Sequence, residues 1–141
     1  MDKILIDTDI ILDFFFDRQP FSEYAAKALT MCELKKVEGF ITPVICSNLY
    51  YLLRRTAKHG KVIEKLNQLL TIIDVLIIDK GIIMQSLNSS FKDFEDALQN
   101  YAAEKSGKID LILTRNIKDF RYSEIGVMTP ENYLKMKVAN P

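Results

Sequence analysis

The residues of this chain best suited to chemistry are acids that follow apolar runs. Lys3-Ile4-Leu5-Ile6 runs into Asp7-Thr8-Asp9: an acid, a hydroxyl and a second acid. Far along the chain, Leu111-Ile112-Leu113 runs into Thr114-Arg115-Asn116-Ile117-Lys118-Asp119-Phe120. Between them lie Asp93 and Asp96, at a spacing that shares one helix face. Short apolar runs of this kind read as buried strands. A buried parallel strand delivers its last side chains to the carboxyl edge of its sheet, where open α/β folds hold their ligand crevice. Strands one and four are expected to be neighbours. Asp7, Asp96 and one of Asn116 or Asp119 then converge in one crevice, lined also by Thr8, Asp9, Asp93 and Thr114.

Several carboxylates cannot all ionise side by side in a low-dielectric site without a cation. Hard oxygen ligands at a loosely formed site suit Mg²⁺ or Mn²⁺, which keep water and accept substrate phosphate. The chemistry implied is metal-assisted hydrolysis of a phosphate ester. Arg115, Lys118 and Arg121 lie beside the proposed site and are candidate phosphate contacts. Plainer roles compete with each assignment. Asp7 could simply cap a helix, Asp93 and Asp96 could complement a helix dipole, and Asp119 could sit in a turn. The functional reading rests on their common position at one sheet edge.

The elements that must position these residues follow from periodicity. Strands are expected at 3–7, 39–42, 75–78 and 111–113, with a short fifth at 127–128. Helices are expected at 10–16, 23–36, 44–57, 61–71, 80–88 and 91–106, with Thr8 or Asp9 as N-cap of the first and Gly107 at the C′ position of the last. Pro130 opens a final helix at its first position. Strands alternating with helices predict a three-layer α/β/α fold with a four- to five-stranded, mostly parallel sheet. At 141 residues the chain is expected to be a single domain.

Composition narrows the function. Net charge is zero, so no global field recruits nucleic acid, and a polyanion must be held by local basic patches. Cys32 and Cys46 are far apart in sequence and form no CxxC pair, which argues against a zinc site and suits a reducing cytoplasm. No apolar run approaches the length of a membrane span, and no signal peptide is expected. His59 is the sole histidine, so paired-histidine catalysis is excluded. Arg54, Arg55, Lys58 and Lys61 form a basic stretch that could bind RNA phosphates but reads first as a solvated helix end complementing the dipole. Phe14–Phe16, Tyr50 and Tyr51 suit the core or a dimer interface, with base stacking as an alternative.

Leu5-Ile6-Asp7-Thr8-Asp9, then Asp93-Phe94-Glu95-Asp96-Ala97-Leu98-Gln99, then Leu113 to Phe120, and finally Thr129-Pro130-Glu131-Asn132-Tyr133-Leu134 resemble the PIN-domain family in order and spacing. The resemblance spans nearly the whole chain. It implies a small α/β/α metal-dependent ribonuclease, and many bacterial single-domain members are toxins of toxin–antitoxin pairs. It further implies Asp7, Asp96 and the Asn116/Asp119 segment as metal-site positions. One departure is visible: Asn48 stands where the family usually carries a glutamate. With Asn116 at the fourth acid position, the site has lost negative charge.

The first functional reading is therefore a Mg²⁺- or Mn²⁺-dependent endoribonuclease, with RNA as substrate, an antitoxin protein as partner and a homodimer as assembly. Asp7 and Asp96 bind the ion, Asp119 binds it or orients the attacking water, and Asn48 and Asn116 are neutral ligands. The Asn positions motivate a second reading, a catalytically weak PIN-like module that binds RNA or protein. A third is a haloacid-dehalogenase-type phosphatase, since Asp7-Thr8-Asp9 resembles its nucleophile motif. No paired-acid strand end follows later in the chain to complete that set.

Overall fold

A computed structural model describes residues 1–139. Among them, five strands form one sheet: β1 (Lys3–Ile6), β2 (Glu38–Ile41), β3 (Ile73–Val75), β4 (Leu111–Leu113) and β5 (Gly126–Met128). Their order is β3-β2-β1-β4-β5 and every pairing is parallel. Parallel neighbours require crossover connections. These are supplied by helices α1 (Thr8–Phe15), α2 (Ser22–Glu33), α3 (Pro43–Leu53), α4 (His59–Leu69), α5 (Lys80–Leu87) and α6 (Phe94–Ser106), with α7 (Pro130–Ala139) following β5. Successive strand residues point to opposite faces. Ile4, Leu5 and Ile6 are all fully buried, so both faces of the sheet are covered and the layers are α/β/α.

Two glycines serve this packing. A Cβ on Gly39 of β2 would lie 2.6 Å from Cys32 Sγ and 2.9 Å from Ile73 Cγ2, so only glycine lets α2 come this close to the strand. Gly107 ends α6 at φ 70°, as its C′ assignment requires.

Several boundaries differ from expectation, each for a physical reason. The apolar run 75–78 is not the third strand, which is Ile73–Val75. Its partner β2 stops at Ile41 because the buried Thr42 caps α3, its Oγ1 accepting from Ile45 N at 3.2 Å. One further bond, Leu76 N to Ile41 O, closes the ladder, and Ile77 is left exposed. Helix α6 begins at Phe94 rather than 91, because Asp93 caps it: Oδ1 accepts from Asp96 N at 2.9 Å. Asp93 therefore stands just before the helix. The cap of α1 is Asp7 itself, not Thr8 or Asp9.

Candidate active site

The strand order reverses between β1 and β4, because β2 and β3 extend the sheet one way and β4 and β5 the other. Ligand crevices of open α/β sheets form at this switch point. Asp7 leaves β1 there in an extended conformation. Its Oδ1 accepts from Thr8 N at 2.8 Å, and its Oδ2 accepts from the Thr114 hydroxyl, also at 2.8 Å. Thr114, fully buried, follows β4 and in turn accepts from Asn116 N at 3.1 Å. These bonds tie the ends of the two central strands together across the switch point.

Asp7 is only 7% exposed. Burial pushes its carboxyl up to about 6, and the negative charges of Asp9 and Asp119 add to the rise, against the Thr114 and Thr8 hydrogen bonds. Asp96, in the first turn of α6, is pushed up to about 7, first by burial and then by repulsion from Asp7, Asp93, Asp119 and Glu95. The acids expected to converge therefore feel one another's charge. They border two adjoining clefts. Asp7, Thr8, Asp9 and Asn48 line the first and Asp119 the second, while Asp93 and Asp96 line both.

The chemistry of the donor set bears on whether a divalent ion fits here. Among the described residues, no three His, Cys, Asp or Glu side chains form a ready-made metal cage. Magnesium does not need one: it takes one or two carboxylates and completes its octahedron with water and substrate oxygens. Asp7 and Asp96 are the carboxylates that could serve. Two buried oxygens lining the same cleft, Thr8 Oγ1 and Gln99 Oε1, have no hydrogen-bond partner. Buried polar atoms are rarely left so, and a hydrated cation would satisfy them.

A sequence model of the PIN domain matches residues 3–118. The chain belongs to the PIN-domain family. Ribonuclease VapC1 of Aquifex aeolicus (strain VF5) is 27% identical over 137 residues, covering 94% of this chain and 93% of that protein. Among solved structures, a chain of a toxin–antitoxin complex from Klebsiella pneumoniae aligns with a TM-score of 0.67 at 24% identity, covering 90% of this chain and 97% of that one. A chain of VapBC-1 from nontypeable Haemophilus influenzae aligns with a TM-score of 0.68 at 14% identity, covering 92% and 98%. At these identities the structural matches establish the shared fold. The phosphatase reading has no place in a PIN domain.

The remaining candidate residues of this PIN domain fall into distinct surroundings. Asn48, half-buried on α3, faces the first cleft, and its Nδ2 donates to Glu95 Oε2 at 2.9 Å. Asn116 Nδ2 donates to Asp9 Oδ2 at 3.2 Å. Lys118 and Arg121 line the second cleft. Arg115 differs from the phosphate role expected of it. Its guanidinium is engaged by Asp13, with Nε 2.8 Å from Oδ2 and Nη2 3.1 Å from Oδ1, and it lies over the Phe21 ring at 4.2 Å. Asp13 is 1% exposed, and a buried carboxylate needs such a partner. Its place in the apolar run Ile10–Phe16 was the available sign that it would need a cation. Sequence reasoning passed over Glu95 and Gln99, which line the first cleft, and Lys92 and Tyr122, which line the second. Arg55, weighed from sequence as a phosphate contact but read first as part of a solvated helix end, lines the first cleft.

Proposed function

We propose that this PIN domain is a divalent-metal-dependent endoribonuclease and the toxin of a toxin–antitoxin pair. The observation that carries the reading is the elevation of Asp7 and Asp96 at the switch point of the sheet, each chiefly by burial and Asp96 also by the charge of Asp7, in a site whose charge a cation would relieve. Asp7 and Asp96 would hold Mg²⁺ or Mn²⁺. When bound, the ion would lower the pKa of water and stabilise charge on the phosphate oxygens. Asp119, exposed on the rim of the second cleft, is placed to orient the attacking water. Thr114 fixes the Asp7 carboxylate, and Asn48 and Asn116 each retain a carbonyl oxygen for a neutral contact. Lys118 and Arg121 hold substrate phosphate. Likeness to a ribonuclease and to chains of toxin–antitoxin complexes supports the reading.

The direct test is cleavage of single-stranded RNA with Mg²⁺ or Mn²⁺, abolished by EDTA and by Asp7→Asn. A second reading, an RNA- or protein-binding module of low activity, draws on Asn48 and Asn116, both neutral where acids are usual. Calorimetry that shows no Mn²⁺ or Mg²⁺ binding at millimolar concentration would favour it. The proposed partners are RNA and a cognate antitoxin, the proposed assembly is a homodimer, and the proposed location is the cytoplasm. No helix among the described residues is long and apolar enough to cross a membrane. Phe14 is exposed aromatic surface for self-association. Light scattering at micromolar concentration is expected to give twice the chain mass, and a monomer alone would refute the dimer.

A further inference from the structure

Two exposed tyrosines flank the acidic centre, one in each cleft. Tyr51 on α3 is 68% exposed and lines the first cleft, and Tyr122 is 49% exposed and lines the second. Each is braced by a neighbouring ring. Tyr51 meets Tyr50 edge-on, with centroids 5.2 Å apart, and Tyr122 meets Phe91 at 6.1 Å. Phe91 in turn contacts the buried Phe120, so Tyr122 stands on the core while much of its own surface meets water. Neither ring is needed to close the hydrophobic interior.

Cations accompany both rings. Arg55 lines the cleft of Tyr51, and Lys92, Lys118 and Arg121 line the cleft of Tyr122. Among the described residues none of these four forms an ion pair, and Arg121 lies over the Tyr122 ring itself at 5.1 Å, where its charge adds to the ring's stacking surface. The arrangement repeats on either side of the carboxylates: cation and exposed ring, acids, exposed ring and cations. Asp93 and Asp96 line both clefts, so the two adjoin at the acidic centre.

We propose that the two clefts form one track for single-stranded RNA. The scissile phosphate crosses the acids, the base on one side stacks on Tyr51 and the base on the other side stacks on Tyr122. Arg55 takes the backbone phosphate of the first flank, and Lys92, Lys118 and Arg121 take that of the second. The inference rests on the nuclease reading above and adds the side chains that hold the strand on both sides of the cut. Bases inside a duplex are already stacked on their neighbours and cannot also cover a side-chain ring, whereas single strands and loops present free faces. With no net charge on the chain, affinity has to come from these local contacts.

The test uses the whole chain, a fluorescently labelled single-stranded oligoribonucleotide and the matching blunt duplex. Anisotropy in EDTA is expected to show preference for the single strand. Stacking is worth about 1–3 kcal/mol per base, so Tyr122→Ala and Tyr51→Ala are each expected to weaken binding by about tenfold or more. Tyr122→Phe and Tyr51→Phe should retain it, because the ring and not the hydroxyl does the stacking. With Mg²⁺, both alanine variants are expected to raise KM while leaving kcat in place, and their melts should match wild type. A duplex bound as tightly as the single strand, or a loss at one tyrosine only, overturns the two-sided track. Wild-type cleavage with unchanged KM in both variants also overturns it and leaves the nuclease reading standing. Tyrosine-dependent binding without any cleavage does the reverse.

Discussion

Asp7→Asn is expected to stabilise the metal-free protein at neutral pH while removing its metal binding. The carboxyl has an ordinary value of 3.8 and is pushed up to about 6 in the fold, chiefly by burial. A raised folded value means that the group's stabilising contribution is complete below pH 3.8 and is lost as pH rises through 6. The elevation corresponds to ~3 kcal/mol lost at neutral pH. Asparagine cannot ionise and avoids that loss. Its Oδ1 can still accept from Thr8 N, but its amide cannot accept the Thr114 hydroxyl proton as Oδ2 now does. That mismatch costs ~1 kcal/mol, leaving a net gain of ~2 kcal/mol at pH 7.5. For a chain of this length such a gain raises Tm by about 4–8 °C. The assay is a series of thermal melts in EDTA from pH 4 to pH 8 on wild type and variant. Wild type should lose stability across this range, with Asp96 contributing in the same direction up to about 7, and the variant should lose less. A variant no more stable than wild type at pH 7.5, or two parallel profiles, would refute the reasoning. Unchanged Mn²⁺ affinity by calorimetry would separately remove Asp7 from the metal site.

Asn48→Glu should act with opposite signs in the two states. Beside Glu95, at the end of what is now a 2.9 Å hydrogen bond, a second carboxylate lowers the metal-free Tm. The added ligand is expected to tighten Mn²⁺ binding about tenfold, a gain of ~1.4 kcal/mol, and to raise ribonuclease activity; a folded variant with unchanged affinity would show that position 48 does not serve the ion. Arg115→Met leaves Asp13 buried with only Arg18, 3.6 Å away, and should cost ~3 kcal/mol by denaturant melt. The double variant Asp13→Leu/Arg115→Met should recover most of that loss, and failure to do so would assign Arg115 a role beyond the pair.

The acids at the strand ends were legible because two rules coincide: apolar runs fix the strands, and parallel strands deliver their last residues to one edge. The expected β1–β4 adjacency is found, and with it the strand-end residues Asp7 and Thr114 meet in a hydrogen bond that the sequence did not foretell. Asp96 was legible as a first-turn acid, but its distance from Asp119 was not, since the link after β4 is a short 3-10 segment, Ile117–Phe120, which carries no periodic signal. The fate of Arg115 was hidden because its partner Asp13 sits in an apolar run over a hundred residues earlier. The readings of Arg55 and Tyr51 stayed open because charge and aromaticity at a helix end look the same whether they face solvent or a cleft. The third strand was misplaced for want of its partner's length: Val75 to Ile78 is apolar enough to be a strand, but β2 ends too soon to pair with it.

The hydrogen bond from Thr114 to Asp7 spans 107 residues of chain, and this has a consequence for biosynthesis. β1 is central in the sheet, yet its β4 neighbour is made only after residue 110 has been added. A nascent chain shorter than that has β1 open along one edge, Asp7 without its Thr114 bond and no second cleft. Contacts of such long range form late and slowly. Fragments from interrupted translation would therefore lack the assembled centre, and hydrolytic capacity would arrive with the C-terminal portion of the polypeptide rather than grow with its length.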